Sequence, residues 1–243
     1  MCTLAVAFRA DPRWPLVVAA NRDERLGRPA ETWALREAPP APRYAAPRDL
    51  AAGGTWIGVS ARGVLAAVTN FHSGAPPDPT RRSRGELVPL ALASSTASAA
   101  REALAAIPAD RYNPFHLVVA DAGEAFLWRW DGERAGFDAL APGLHVVTEE
   151  SPHGADPRGE LVRGRWPLDL AAGRLRDLLA IHGPGRASST CIHLDPVYGT
   201  RSSTILRLAP DLGASELYVA DGAPCTAPFE DRSSLLAALA RSA

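Results

Sequence analysis

The opening of the chain constrains its fold more than any other segment. Leu4, Val6 and Phe8 alternate with Thr3, Ala5 and Ala7, which predicts a strand at the N-terminus. Asp11-Pro12-Arg13 reads as a turn. Leu16 to Ala20 is an unbroken apolar run, as expected of a strand covered on both faces. The two strands make a hairpin whose second arm ends in a polar burst, Asn21-Arg22-Asp23-Glu24. Folding back carries that burst beside the start of the first strand, where Cys2 lies.

Cys2 directly follows Met1. Removal of the methionine, favoured by a small second residue, would leave Cys2 with a thiol and a free α-amino group. One residue would then hold a nucleophile and a base, the amine having a pKa of roughly 8. Asp23 can hold or orient that amine, and Arg22, as a nearby cation, favours the thiolate. The competing reading is an ordinary buried cysteine and a solvated turn with internal ion pairs. Asn70, at the end of another apolar strand in Thr69-Asn70-Phe71, is either an oxyanion donor or a turn former. In the polar stretch Tyr198 to Thr204, Arg201 can bind a carboxylate or polarise a carbonyl, and Ser202 can line a pocket or be a strand-edge residue. Cys191 and His193 stand two apart on a predicted strand and face one side, so they could be half of a haem or metal site. Core or pocket wall is the stronger expectation for them.

Composition excludes several function classes. The net charge of −1 gives no electrostatic case for nucleic acid or an acidic membrane surface. All 26 basic residues are arginine, so there is neither a Schiff-base lysine nor a phosphate-loop lysine. Three cysteines, an odd and sparse set, argue for a reducing compartment, and a cytoplasmic location is expected. No Cys-x-x-Cys or paired-histidine spacing occurs, so neither a structural zinc nor any other metal is expected. Neither a signal-peptide pattern nor a membrane-span-length apolar run is present.

The remaining elements follow from pattern. Arg25 to Ala52, rich in Pro, Arg and Ala, reads as a surface loop. Thr55 to Val59 and Val64 to Phe71 form a second hairpin, and Phe115 to Ala120 with Glu124 to Trp130 a third. Phe71 to Arg82 is a loop. Further strands are expected at Leu144 to Thr148, Cys191 to Leu194, Ser203 to Ala209 and Glu216 to Ala220. Helices are expected near Gly85 to Ala93, Ala97 to Ile107, Pro157 to Trp166, Asp169 to His182 and Ser233 to Ala240. Antiparallel hairpins with helices inserted in blocks indicate an α+β protein with two stacked, mainly antiparallel sheets flanked by helices. Residues 1–243 are expected to form a single domain.

Several motifs together resemble one family. They are Met1-Cys2-Thr3-Leu4, Asn21-Arg22-Asp23-Glu24, Gly53-Gly54-Thr55-Trp56-Ile57-Gly58, Thr69-Asn70-Phe71, Arg84-Gly85, Tyr112-Asn113-Pro114-Phe115 and Tyr198-Gly199-Thr200-Arg201. In this order they resemble the NRDE family, the transport-and-Golgi-organisation proteins and their bacterial relatives. The resemblance implies a branch of the N-terminal nucleophile (Ntn) hydrolases, related to choloylglycine hydrolases and penicillin V acylases. It implies a four-layer αββα sandwich, Cys2 as nucleophile with its own amine as base, Asp23 contacting that amine, and Asn70 lining an oxyanion hole. Two positions depart from the acylase pattern. An arginine expected three residues before Asp23 is Ala20, and a Ser-Asn pair expected after the middle strand is Thr148-Glu149.

The function implied is a cysteine amidohydrolase acting on a small acylated amide by acyl transfer to Cys2. Arg22 assists, and Asn21, Thr148, Glu149, Arg201 and Ser202 stand on the substrate side. The alternative is a non-catalytic intracellular carrier or trafficking protein for haem or a lipid/acyl-CoA ligand on the same scaffold. No cofactor is required, haem is a possible bound ligand, and the expected partner is a small molecule.

Overall fold

The structure is a computed structural model that describes residues 3–38, 41–194 and 196–241. In chain order the strands are β1 (Thr3–Asp11), β2 (Trp14–Arg25), β3 (Ala30–Ala38), β4 (Ala41–Asp49), β5 (Ile57–Ser60) and β6 (Leu65–Asn70). Helices α1 (Leu87–Leu92) and α2 (Ala97–Ala105) follow, then β7 (Phe115–Ala120), β8 (Ala125–Trp130), β9 (Ala135–Ala139) and β10 (Gly143–Thr148). The last third holds α3 (Pro157–Arg165), α4 (Ala172–Leu179), β11 (His193–Leu194), β12 (Tyr198–Leu208), β13 (Glu216–Ala220), β14 (Glu230–Asp231) and α5 (Ser233–Ala240).

Two antiparallel sheets result. The first runs β10-β1-β2-β12-β13-β14, with β11 added on β12; the second runs β3-β4-β5-β6-β7-β8-β9. The first hairpin shows why the sheets stack. Leu4, Val6, Phe8, Leu16, Val18 and Ala20 join the large core that includes Ile57, Leu65 and Leu117 of the second sheet. The alternate residues Ala5, Ala7, Val17 and Ala19 pack with Val162 of α3 and Leu175, Leu178 and Leu179 of α4. That double coverage is what the unbroken run Leu16 to Ala20 requires. Helices α3 and α4 lie against β10, β2 and β12, while α1 and α2 lie against β5 to β8. The layers are therefore helix, sheet, sheet, helix, with α5 against β13, β3 and β4.

Two expectations are corrected and one strand is added. The segment Arg25 to Ala52 is not a loop but carries β3 and β4. Few of its side chains are buried, chiefly Trp33, Ala45 and Ala46, so its apolar alternation is faint. Pro47 avoids the ladder: it stands opposite a bulge between Glu31 and Ala34, and β4 pairs with β5 only at Tyr44 and Ala45. The added strand is β9, whose half-exposed residues AGFDA carry no clear periodicity and gain their ladder from β8. Cys191 to Leu194 shrinks to the two exposed residues of β11, because Cys191 and Ile192 turn into the interior before the strand begins. Among the described residues no helix is long and apolar enough to cross a membrane.

Candidate active site

The end of the first hairpin is the centre of the site. Thr3 is fully buried and pairs with Asn21 of β2 on one side and Thr148 of β10 on the other. Cys2, its covalent neighbour and the expected nucleophile, lies outside the described residues. The Thr3 hydroxyl has no hydrogen-bond partner among the described residues.

Alternation along β2 sends its polar burst to two different places. Asn21 and Asp23 face the α3–α4 layer. Asn21 donates to the carbonyls of Leu179 (2.9 Å) and Thr190 (2.7 Å) and accepts from the Ser203 hydroxyl at 2.5 Å. Its amide therefore ties β2 to the loops around α4. Asp23 is 3% exposed and accepts from the Thr200 hydroxyl at 2.6 Å. The Arg158 guanidinium of α3 stands 3.8 Å from its other oxygen. Burial pushes the Asp23 carboxyl above the ordinary carboxylate range, while the Thr200 hydrogen bond and Arg158 pull the other way. The Tyr198 hydroxyl donates to the Asp23 carbonyl at 3.2 Å.

Glu149 extends this network. Arg186 donates to its carboxylate at 2.8 Å, Arg158 stands 4.0 Å away, and Arg158 also donates to the Arg186 carbonyl at 2.9 Å. Two guanidinium groups thus balance two buried carboxylates. Thr148, its neighbour, donates its hydroxyl to Asp156, the N-cap of α3, at 2.7 Å. Asn70 is exposed at the end of β6. With Glu149, Tyr198, Arg25, His72 and Arg84 it lines an open cleft of about 950 Å³.

Arg22 points the other way, towards the second sheet. Its guanidinium lies 4.2 Å from the Trp56 ring centre and 3.5 Å from Asp49, and burial pulls its pKa below the usual arginine value. Arg22, Arg201 and Ser202 line a separate small cavity of about 20 Å³, room for about one water. Arg201 is paired with Asp221 at 2.8 Å. The structure thus groups Asp23 with Glu149, sets Asn70 with Glu149 on the cleft, and sets Arg22, Arg201 and Ser202 together on the opposite face of β2.

Three contributors were missed by sequence reading: Arg158, Arg186 and Thr200. Arg158 sits in the first turn of a helix whose sequence pattern is that of a surface helix, and nothing in it signals a buried cation. Thr200 is one hydroxyl among several in a polar stretch. None of His182, Cys191, His193 and Cys225, whose sulfur and imidazole groups converge elsewhere, lines the cleft.

Comparison with known proteins bears on both family and fold. Residues 1–167 match the family model described as Transport and Golgi organisation 2. The chain is similar to the Transport and Golgi organization protein 2 homolog of Bos taurus, at 31% identity over 85% of this chain and 88% of that protein. The Mus musculus homolog is 34% identical over 48% of this chain and 44% of its own length. Among solved structures, the N-acylethanolamine-hydrolyzing acid amidase ortholog of Caenorhabditis elegans superposes with a TM-score of 0.60 at 15% identity, covering 85% of this chain and 92% of that one. A point mutant of the conjugated bile acid hydrolase from Clostridium perfringens superposes with a TM-score of 0.54 at 11% identity, covering 96% and 93%. The four-layer sandwich is the Ntn-hydrolase fold.

Proposed function

The chain belongs to the Transport and Golgi organisation 2 family, and we propose that it is a cysteine amidohydrolase that cleaves a small acylated amide through Cys2. The observation that carries this reading is the buried Asp23 carboxylate, held by Thr200 and Arg158 at the strand end that pairs with Thr3. Burying a carboxylate is costly unless it has a task or a partner. Asp23 stands two residues past Asn21, the partner of Thr3, on the strand beside the start of β1. With Met1 removed, that is where the α-amine of Cys2 would need an anion.

In the proposed reaction the amine takes the proton of the Cys2 thiol, and the thiolate attacks the substrate carbonyl carbon. Asn70, on the cleft wall, donates to the oxyanion. The C–N bond breaks as the amine returns the proton to the leaving nitrogen. Water then attacks the thioester, releasing the acid and restoring the thiol. Glu149, which by itself would repel an oxyanion, has its charge drawn towards Arg186 and Arg158. A reduced Cys2 fits the cytoplasmic location expected from composition. One fold relative, the N-acylethanolamine-hydrolyzing acid amidase ortholog, makes N-acyl amides the first substrates to try.

Intact mass spectrometry and an assay of fluorogenic N-acyl amides test the proposal. Loss of Met1 is expected, with turnover that disappears in Cys2→Ser. Full retention of Met1, or turnover unchanged by Cys2→Ser, sinks it.

The carrier reading is favoured by the volume of the cleft, about 950 Å³, and by Arg25, Arg81 and Arg84 on a wall that also carries Asp78, Asp131, Glu133 and Glu149. Those three arginines suit the anionic end of a lipid, acyl-CoA or haem ligand. Titration with haem and with a fluorescent acyl-CoA, each against Arg25→Gln, tests it. Absence of any spectral change at micromolar ligand rules the carrier out.

A further inference from the structure

Outside the cleft, four side chains able to bind a soft cation converge on one point. The ligand atoms of His182, Cys191, His193 and Cys225 all lie within 4.8 Å of one another. The Cys191 and Cys225 sulfurs are 3.6 Å apart, and His193 Nε2 is 3.7 Å from the first and 3.1 Å from the second. The His182 and His193 ring centres are 5.2 Å apart. Around a tetrahedral zinc, with Zn–S of about 2.3 Å and Zn–N of about 2.0 Å, neighbouring ligand atoms stand roughly 3.3–3.8 Å from each other. The cluster is already close to that spacing.

The backbone holds three separate segments in this position. The amides of Thr190 and Cys191 both donate to the Ile181 carbonyl, at 3.1 and 3.0 Å, which sets residues 181–182 beside 190–191. His193 pairs with Gly199 across β11 and β12. A Cβ on Gly199 would come within 2.7 Å of the Ile192 carbonyl, so only glycine admits this approach. Cys225 is presented by a turn closed by the Ala227 amide on the Ala223 carbonyl at 2.7 Å. Among the described residues no carboxylate belongs to the group. Two thiols and two imidazoles disfavour calcium and magnesium and suit zinc.

We propose that His182, Cys191, His193 and Cys225 form a closed Cys2His2 site for a structural zinc ion. It clasps the segment after α4 and the turn after β13 onto the start of β12. All four ligands lie beyond residues 1–167, the stretch that matches the family model. The proposal stands apart from the amidohydrolase reading, since no ligand lines the cleft. The site does touch the candidate active site indirectly: the Ile192 amide, between two ligands, donates at 2.9 Å to the Thr200 hydroxyl that holds Asp23.

The test is the metal content of the full chain purified under reducing conditions, then its cobalt spectrum. One zinc per chain is expected by elemental analysis. After chelation, Co2+ should restore intense visible absorption of a tetrahedral site with a sulfur-to-cobalt charge-transfer band. Cys225→Ser and, separately, His182→Ala should lose both while keeping the far-ultraviolet circular dichroism of the parent. Both residues are exposed, so their replacement spares the core. Failure to bind equimolar Zn2+ overturns the proposal, as does a Cys191–Cys225 disulfide in the reduced preparation. So does metal binding that survives both substitutions.

Discussion

The hydroxyl of Thr200 donates to the carboxylate of Asp23 at 2.6 Å while accepting the Ile192 amide at 2.9 Å. One side chain thereby satisfies a buried acid and a buried amide on two different segments. Thr200→Val keeps the shape and removes both bonds. It should destabilise the protein by about 1–3 kcal/mol, the cost of a buried polar group left unpaired. Urea unfolding monitored by tryptophan fluorescence checks this, and an unchanged midpoint would contradict it.

Asp23 should also leave a mark on the pH dependence of stability. Its folded carboxyl is pushed above its unfolded value by burial, so the native state keeps that proton to higher pH. Stability from this group is full below the unfolded pKa and is lost as pH rises through the folded one. Asp23→Asn should remove that falling limb. The check is the difference between the two urea midpoint profiles across the acid range.

His116 should act in the opposite sense. It is buried, its ring nitrogen contacts the Thr148 carbonyl at 3.2 Å, and burial lowers its pKa from 6.5 to about 4. The unfolded chain therefore binds the extra proton first, and stability falls as pH drops from about 6.5 to about 4. A shift of that size corresponds to a loss on the order of 3 kcal/mol. His116→Gln should flatten the profile in that window, measured in buffers of matched ionic strength.

Arg22 separates a packing role from a chemical one. Removing its charge in Arg22→Gln takes away the Trp56 contact and a partner of Asp49, although Arg28 still holds Asp49 at 2.7 Å. A loss of about 1–3 kcal/mol is expected. If Arg22 also lowers the thiol pKa of Cys2, iodoacetamide labelling of Cys2 at neutral pH slows in the variant. An unchanged rate confines Arg22 to packing.

Gly54 tests the contact between the β4–β5 connection and the turn before α1. A Cβ there would meet the Gly85 backbone at 2.5 Å, and the Thr55 amide already donates to the Gly85 carbonyl at 3.0 Å. Neither backbone can yield without breaking that bond. Gly54→Ala should cost roughly 1–3 kcal/mol, seen as a lower thermal midpoint. Gly27→Ala, where a Cβ meets nothing, is the control.

Much of this protein was decided by its sequence alone. The alternation in β1 and the double-faced run in β2 made the first hairpin, and so brought Asp23 back to the start of β1. The hairpins β5–β6 and β7–β8 and all five helices follow from local periodicity, which burial on one face enforces. Other features came only with the tertiary structure. Strands β3 and β4 hide few apolar side chains and owe their pairing to neighbours already in place. Arg22 and Asp23 are adjacent in sequence, yet the pleat sends their side chains to opposite faces of β2. Cys225 reaches Cys191 and His193 from a turn after β13, at a spacing that no short motif encodes. Periodicity records which face of an element is buried; which distant side chains meet there depends on how the layers stack.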